Sequence, residues 1–78
     1  MRIQVVEDDR ALSEGIRLAL QEAGLTFAQS ASLRQAREDF EKDAADIVIL
    51  DINLPDGSGY EYLHWVKENS DALVLILT

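Results

Sequence analysis

Residues 46–59 read Asp46-Ile47-Val48-Ile49-Leu50-Asp51-Ile52-Asn53-Leu54-Pro55-Asp56-Gly57-Ser58-Gly59. The first part is an apolar run bracketed by acids. The second is rich in turn formers and holds the only proline of the chain. Ile47–Leu50 does not alternate polar with apolar residues, so a strand here must be covered on both faces, as in the centre of a parallel sheet.

The flanking sequence supplies the partners such a strand needs. Upstream, Ile3 to Val6 is a short apolar strand candidate stopped by Glu7-Asp8-Asp9. From Arg10 to Ala23 the apolar residues Leu12, Ile16, Ala19, Leu20 and Ala23 fall at helical spacing. Asp9 can cap the start of that helix and Gly24 can end it. Leu25 to Ala28 is a weaker second strand. Ser32-Leu33-Arg34-Gln35 reads as a capping box opening a polar helix, with Leu33, Ala36 and Phe40 on one face. Downstream, a turn-rich loop from Asn53 to Gly59 leads into a third helix, Tyr60 to Asn69, with Leu63 and Val66 facing inward. Ala72 to Leu77 is a final apolar run that ends at Thr78.

The order is β-α-β-α-β-α-β, which predicts an α/β fold: a parallel sheet with helices on its faces. No repeat, low-complexity stretch or linker divides residues 1–78, so one small domain is expected. Leu73-Val74-Leu75-Ile76-Leu77 makes an uncharged edge strand that invites pairing with another chain. Either a natural continuation beyond Thr78 or a partner chain is expected to cover it.

The formal net charge is −8, which repels phosphate backbones and anionic membrane surfaces. Direct nucleic-acid or membrane binding by this segment is therefore not expected. There is no cysteine, hence no disulfide, thiolate nucleophile or cysteine-held metal, in keeping with a cytoplasmic setting. No stretch resembles a signal peptide or a membrane span.

Acidity of this kind is mostly solvated surface, but part of it is placed to do more. Parallel strands of a right-handed sheet all end on one rim, where ligands bind. Glu7 and Asp8 follow the first strand, Asp51 closes the third with Asn53 two residues on, and Thr78 follows the fourth. Any one acid alone is more simply a helix cap, and Asp9 is assigned to that role. Together, Glu7, Asp8 and Asp51 would repel one another without a counter-charge. The donors are hard oxygens with no histidine or cysteine among them, which makes Mg²⁺ the natural cation. Asp51 could then act as a nucleophile toward a phosphoryl group, with the cation screening the approaching charge.

Rival readings fit less well. Asp51-Ile52-Asn53 starts like a calcium loop, but Pro55, Asp56 and Tyr62 occupy places that need an acid or amide, a glycine and a bidentate Glu. Gly57-Ser58-Gly59 lacks the spacing and lysine of a phosphate-binding loop and serves better as a turn. A phosphatase using an aspartyl nucleophile would, by its family's pattern, carry a second Asp where Asn53 stands; Asn53 cannot exchange a proton at neutral pH. His64, the only histidine, is placed on a helix surface, Tyr60, Tyr62 and Trp65 in packing or half-exposed positions, and Lys42 and Lys67 on solvated helix faces.

Three blocks carry a family resemblance: Val5-Val6-Glu7-Asp8-Asp9, then Val48 to Gly59, then Leu75-Ile76-Leu77-Thr78. Their content and spacing resemble the receiver domain of two-component response regulators along the whole chain. The resemblance implies a CheY-like, flavodoxin-like sheet of strand order 2-1-3-4-5. It implies that Asp51 is the phospho-acceptor and Asp8 a direct Mg²⁺ ligand. Glu7 would act through metal-bound water, and Asn53 would offer its backbone carbonyl. Thr78 resembles the switch hydroxyl, and Pro55 and Gly59 the residues that shape the loop. A sensor histidine kinase is the implied phosphoryl donor, so the chain is a signalling acceptor and not an enzyme, beyond promoting its own Mg²⁺-dependent phosphorylation. The family's fifth strand, last two helices, invariant lysine and aromatic switch residue would lie beyond Thr78, where a DNA-binding effector domain could also follow. Residues 1–78 would thus be an incomplete receiver domain. The alternative is a switch-incompetent fragment that forms a homodimer or strand-exchanged oligomer through its fourth strand.

Overall fold

The structure, a computed structural model, describes residues 1–77. The elements are β1 (Arg2–Val6), α1 (Arg10–Glu22), β2 (Thr26–Ser30), α2 (Leu33–Lys42), β3 (Ile47–Asp51), β4 (Asn53–Leu54), β5 (Gly57–Ser58), α3 (Gly59–Asn69) and β6 (Leu73–Leu77). The four long strands form one parallel sheet in the order β2-β1-β3-β6. This is the 2-1-3-4 part of the order implied by the resemblance.

The sequence reading missed one pair of elements. The turn-rich loop holds a small antiparallel ribbon in which Asn53 pairs with Ser58 and Leu54 with Gly57. Pro55 and Asp56 form its tip, where proline's fixed φ suits a tight turn, and Gly57 takes φ +150°, a value open to glycine. The second strand starts one residue later than predicted and runs to Ser30, and the third helix begins at Gly59.

The cap residues act as the sequence suggests, but only the Ser32 half of the expected capping box forms: the Gln35 side chain turns to Asp39, its Nε2 donating to Oδ1 at 2.9 Å. The Asp9 carboxylate accepts from the Leu12 amide at 3.1 Å, and Gly24 adopts φ +73° just past the end of α1. The Ser32 hydroxyl accepts from the Gln35 amide at 3.1 Å. Leu33, Ala36 and Phe40 of α2 are all buried, as are Tyr62 and Val66 of α3. They pack with Val6, Val48 and Leu50 of the sheet into one core, against which Leu63, Trp65 and Val74 rest. The Trp65 ring stacks on Tyr62 with centroids 5.7 Å apart and meets Phe40 edge-on at 5.6 Å.

The two faces of the sheet differ. One carries the core and is covered by α2 and α3. The other carries Ile3, Val5, Ile47, Ile49, Leu73 and Leu75, which follow from the alternation of the strands, and α1 lies over its β2 side. Consequently α1 has no fully buried residue: Ile16 and Leu20 are half-buried, whereas Leu12, Ala19 and Ala23 are exposed. Leu73 and Leu75 are 54% and 48% exposed. Among the described residues a single helix covers only part of that face, which leaves these two side chains open.

Candidate functional site

Parallel pairing of β1 with β3 sets Val6 beside Leu50, so the next residues along, Glu7 and Asp51, emerge side by side at the carboxyl rim. Asp8 joins them. One carboxylate oxygen from each of Glu7, Asp8 and Asp51 can be chosen so that all three lie within 4.8 Å of one another. Glu7 is buried, Asp51 half-buried and Asp8 exposed, so the cluster runs from the protein interior outward to solvent.

Two of the acids, Glu7 and Asp51, are held by backbone amides. The Glu7 amide donates to the Ser30 carbonyl at 3.0 Å, which extends the β1–β2 ladder by one step. The Glu7 Oε1 accepts from the Asp9 amide at 2.8 Å. Burial is the main force pushing the Glu7 carboxyl above its ordinary value; the Asp9 amide opposes it, and the charges of Asp51 and Asp8 add to the rise. Asp51 Oδ1 accepts from the Asn53 amide at 3.3 Å. Three carboxylates this close repel one another and favour a counter-charge. An all-oxygen donor set with mutually repelling charges fits Mg²⁺, which binds through one or two carboxylates and keeps water.

Behind Asp51 the chain is tightly fitted. The Gly59 amide donates to the Ile52 carbonyl at 2.7 Å, and a Cβ at Gly59 would stand 2.4 Å from the Asp51 carbonyl oxygen. Gly59 is thus required by close backbone approach. Pro55 lies at the ribbon tip, exposed and away from the acids' own strands. Asn53 meets the cluster through its amide. Thr78 lies outside the described residues.

Two residues with structural roles escaped the sequence reading. Gln4, in the middle of β1, is buried; its Nε2 donates to Ser30 Oγ at 3.2 Å and to the Ala36 carbonyl at 2.9 Å. A lone polar residue inside an apolar strand was the signal. The other is Asp56, whose carboxylate reaches α2; nothing in its local sequence marks it. Lys67, expected to be merely solvated, donates to the Ala72 carbonyl at 2.8 Å. His64 is exposed, as expected. No helix among the described residues is long and apolar enough to cross a membrane.

Comparison with known proteins agrees with this architecture. The model of the response regulator receiver domain family matches residues 3–78. The transcriptional regulatory protein BasR of Escherichia coli K12 is 37% identical over 79 aligned residues, covering all of this chain and 36% of BasR. VxrB of Vibrio cholerae, also a transcriptional regulatory protein, is 35% identical over 95% of this chain and 29% of its own length. The chain thus spans about a third of the curated relatives it matches. Among solved structures, the MaeR response regulator bound to beryllium trifluoride superposes with a TM-score of 0.91 at 27% identity, over 100% of this chain and 66% of that one. The receiver protein of Methanoculleus marisnigri JR1 gives 0.91 at 28% identity, over 99% and 65%. With the sheet order, the rim of acids and the family match over nearly every residue in agreement, this chain belongs to the receiver domain family of two-component response regulators.

Proposed function

We propose that Asp51 accepts a phosphoryl group from the phosphohistidine of a sensor kinase, within a cytoplasmic transcriptional regulator of which this chain is the receiver portion. The observation that carries this reading is the gathering of Glu7, Asp8 and Asp51 on one rim, with oxygens within 4.8 Å. An Asp51 carboxylate oxygen attacks phosphorus. The new P–O bond forms as the P–N bond to the imidazole breaks, and the imidazole nitrogen keeps the electron pair and takes up a proton from solvent. Glu7, Asp8 and Asp51, with the Asn53 carbonyl, would hold Mg²⁺, which when bound supplies the positive charge that offsets the carboxylates and the phosphoryl oxygens. Glu7 works from the buried side of the cluster, its one oxygen fixed by the Asp9 amide. The Asn53 amide restrains the Asp51 side chain through Oδ1. Thr78 is the hydroxyl that would read the new phosphate, and Pro55 and Gly59 shape the loop. The binding of beryllium trifluoride, a phosphoryl-like anion, by the MaeR response regulator supports the same chemistry here.

Incubation with a phosphorylated histidine kinase and Mg²⁺ tests the reading. Label should enter the wild-type chain, Asp51→Asn should incorporate none, and Asp8→Ala should weaken Mg²⁺ binding. Wild-type labelling of Asp51→Asn would refute the assignment.

A second reading concerns assembly. Leu73, Leu75 and Ile76 are exposed on the edge strand β6, which favours association of two copies through this strand. Size-exclusion chromatography separates the cases: a monomer with a cooperative melt removes this reading.

A further inference from the structure

Asp56 has no part in the chemistry above, yet both of its carboxylate oxygens are engaged. Oδ1 accepts from the Leu33 amide at 2.8 Å and Oδ2 from the Arg34 amide at 3.0 Å. A helix start leaves its first amides without internal partners. In α2 the third of these, Gln35, is taken by Ser32, and the next, Ala36, bonds the Ser32 carbonyl at 3.0 Å. The cap of α2 is therefore completed by a carboxylate more than 20 residues further along the chain. The positive end of the helix favours that charge. A second contact lies beside it: a Cβ at Gly57 would come 2.9 Å from Leu33 Cδ1, so the ribbon tip and the first turn of α2 touch directly.

The other end of the same ribbon is the candidate phosphorylation site. Asn53 opens β4 and gives its amide to Asp51 Oδ1; Gly59, just past β5, bonds the Ile52 carbonyl. A ribbon of two residues per strand does not hold its shape alone. It is fixed by its two attachments, Asp51 at the base and α2 at the tip.

We propose that Asp56 is a positioning residue for the phosphorylation site: by tying the ribbon tip to α2 it fixes the Asn53 peptide, and through it the Asp51 carboxylate and the carbonyl offered to Mg²⁺. This rests on the reading of the acid cluster as a Mg²⁺-dependent acceptor. Residues that hold metal ligands from behind alter affinity by roughly 10–100-fold when removed.

The test is titration of Mg²⁺ into the whole chain by calorimetry, with a thermal melt of each variant. The set is wild type, Asp56→Ala, Asp56→Asn and Ser32→Ala. Asp56→Ala should weaken Mg²⁺ binding by roughly tenfold. Asp56→Asn removes the same charge but keeps an acceptor oxygen, so it should fall between Ala and wild type. Ser32→Ala cuts the same helix cap without touching the ribbon, so it should lower the melting temperature and leave Mg²⁺ affinity unchanged. The proposal is overturned if Asp56→Ala binds Mg²⁺ like wild type, or if the two Asp56 variants lose affinity equally, which would make the effect one of charge alone. It is also overturned if Ser32→Ala loses as much affinity as Asp56→Ala. Should Asp56→Ala not fold, Asp56→Asn against wild type decides: equal affinity overturns the proposal. Failure of wild type itself to bind Mg²⁺ overturns the acceptor reading and this inference with it, whereas a wild type that binds beside indifferent variants overturns this inference alone.

Discussion

Gln4 is the one polar side chain between Ile3 and Val6, and it joins three elements. The Tyr62 hydroxyl donates to its Oε1 at 2.5 Å, and Ser30, which accepts from its Nε2, passes its own proton toward Asp39 Oδ2 at 2.7 Å. Burial pushes the Tyr62 phenol well above its ordinary value, so it remains a donor at any working pH. Tyr62→Phe would leave Gln4 Oε1 buried without a partner and should cost about 1–3 kcal/mol in urea unfolding. Glu7 acts in the opposite sense. Its folded-state pKa is raised above 4.5, so the native state holds the proton more tightly than the unfolded chain. Stability therefore falls as pH climbs from 4.5 through the raised value. In Mg²⁺-free buffer at pH near 7, Glu7→Gln should raise the melting temperature by a few degrees. The gain should vanish below pH 4.5. A neutral-pH melt lower than that of wild type would contradict the assigned cost of burying this charge.

At the scale of elements, the β3–α3 connection is where local sequence and three-dimensional fit meet. Gly59→Ala would drive a methyl group to within 2.4 Å of the Asp51 carbonyl, which has backbone atoms on either side and little room to yield. The cost should be about 1–3 kcal/mol, and the end of β3 should shift, seen as displaced amide resonances at Asp51 and Asn53 together with weaker Mg²⁺ binding. An unchanged spectrum would mean that the loop absorbs the methyl group. What could be read in advance follows the same division. The Ile47–Asp51 run, the Asp9 and Ser32 caps and the Leu33–Ala36–Phe40 face are local patterns, and periodicity carries them. The acids on the rim could be grouped because parallel strands end on one side. The β4–β5 ribbon could not, since two-residue strands have no periodicity. Asp56 was hidden because its partners are amides over 20 residues away, and amides leave no trace in composition. The exposed side of α1 escaped because helical spacing shows which residues are apolar but not how much sheet lies beneath them.

For the molecule as a whole, the sheet order has a consequence in time as well as in space. Among the described residues, β1 and β3 are bonded to neighbours on both edges, whereas β2 and β6 are bonded on one. Backbone opening should start at the outer strands and reach the inner pair last. Deuterium uptake measured by mass spectrometry should therefore rise early over Thr26–Ser30 and Leu73–Leu77, and late over Arg2–Val6 and Ile47–Asp51; equal uptake across the four would contradict the topology. Glu7 follows and Asp51 ends the two inner strands, so the backbone that carries the acid cluster should keep its place while the outer strands breathe.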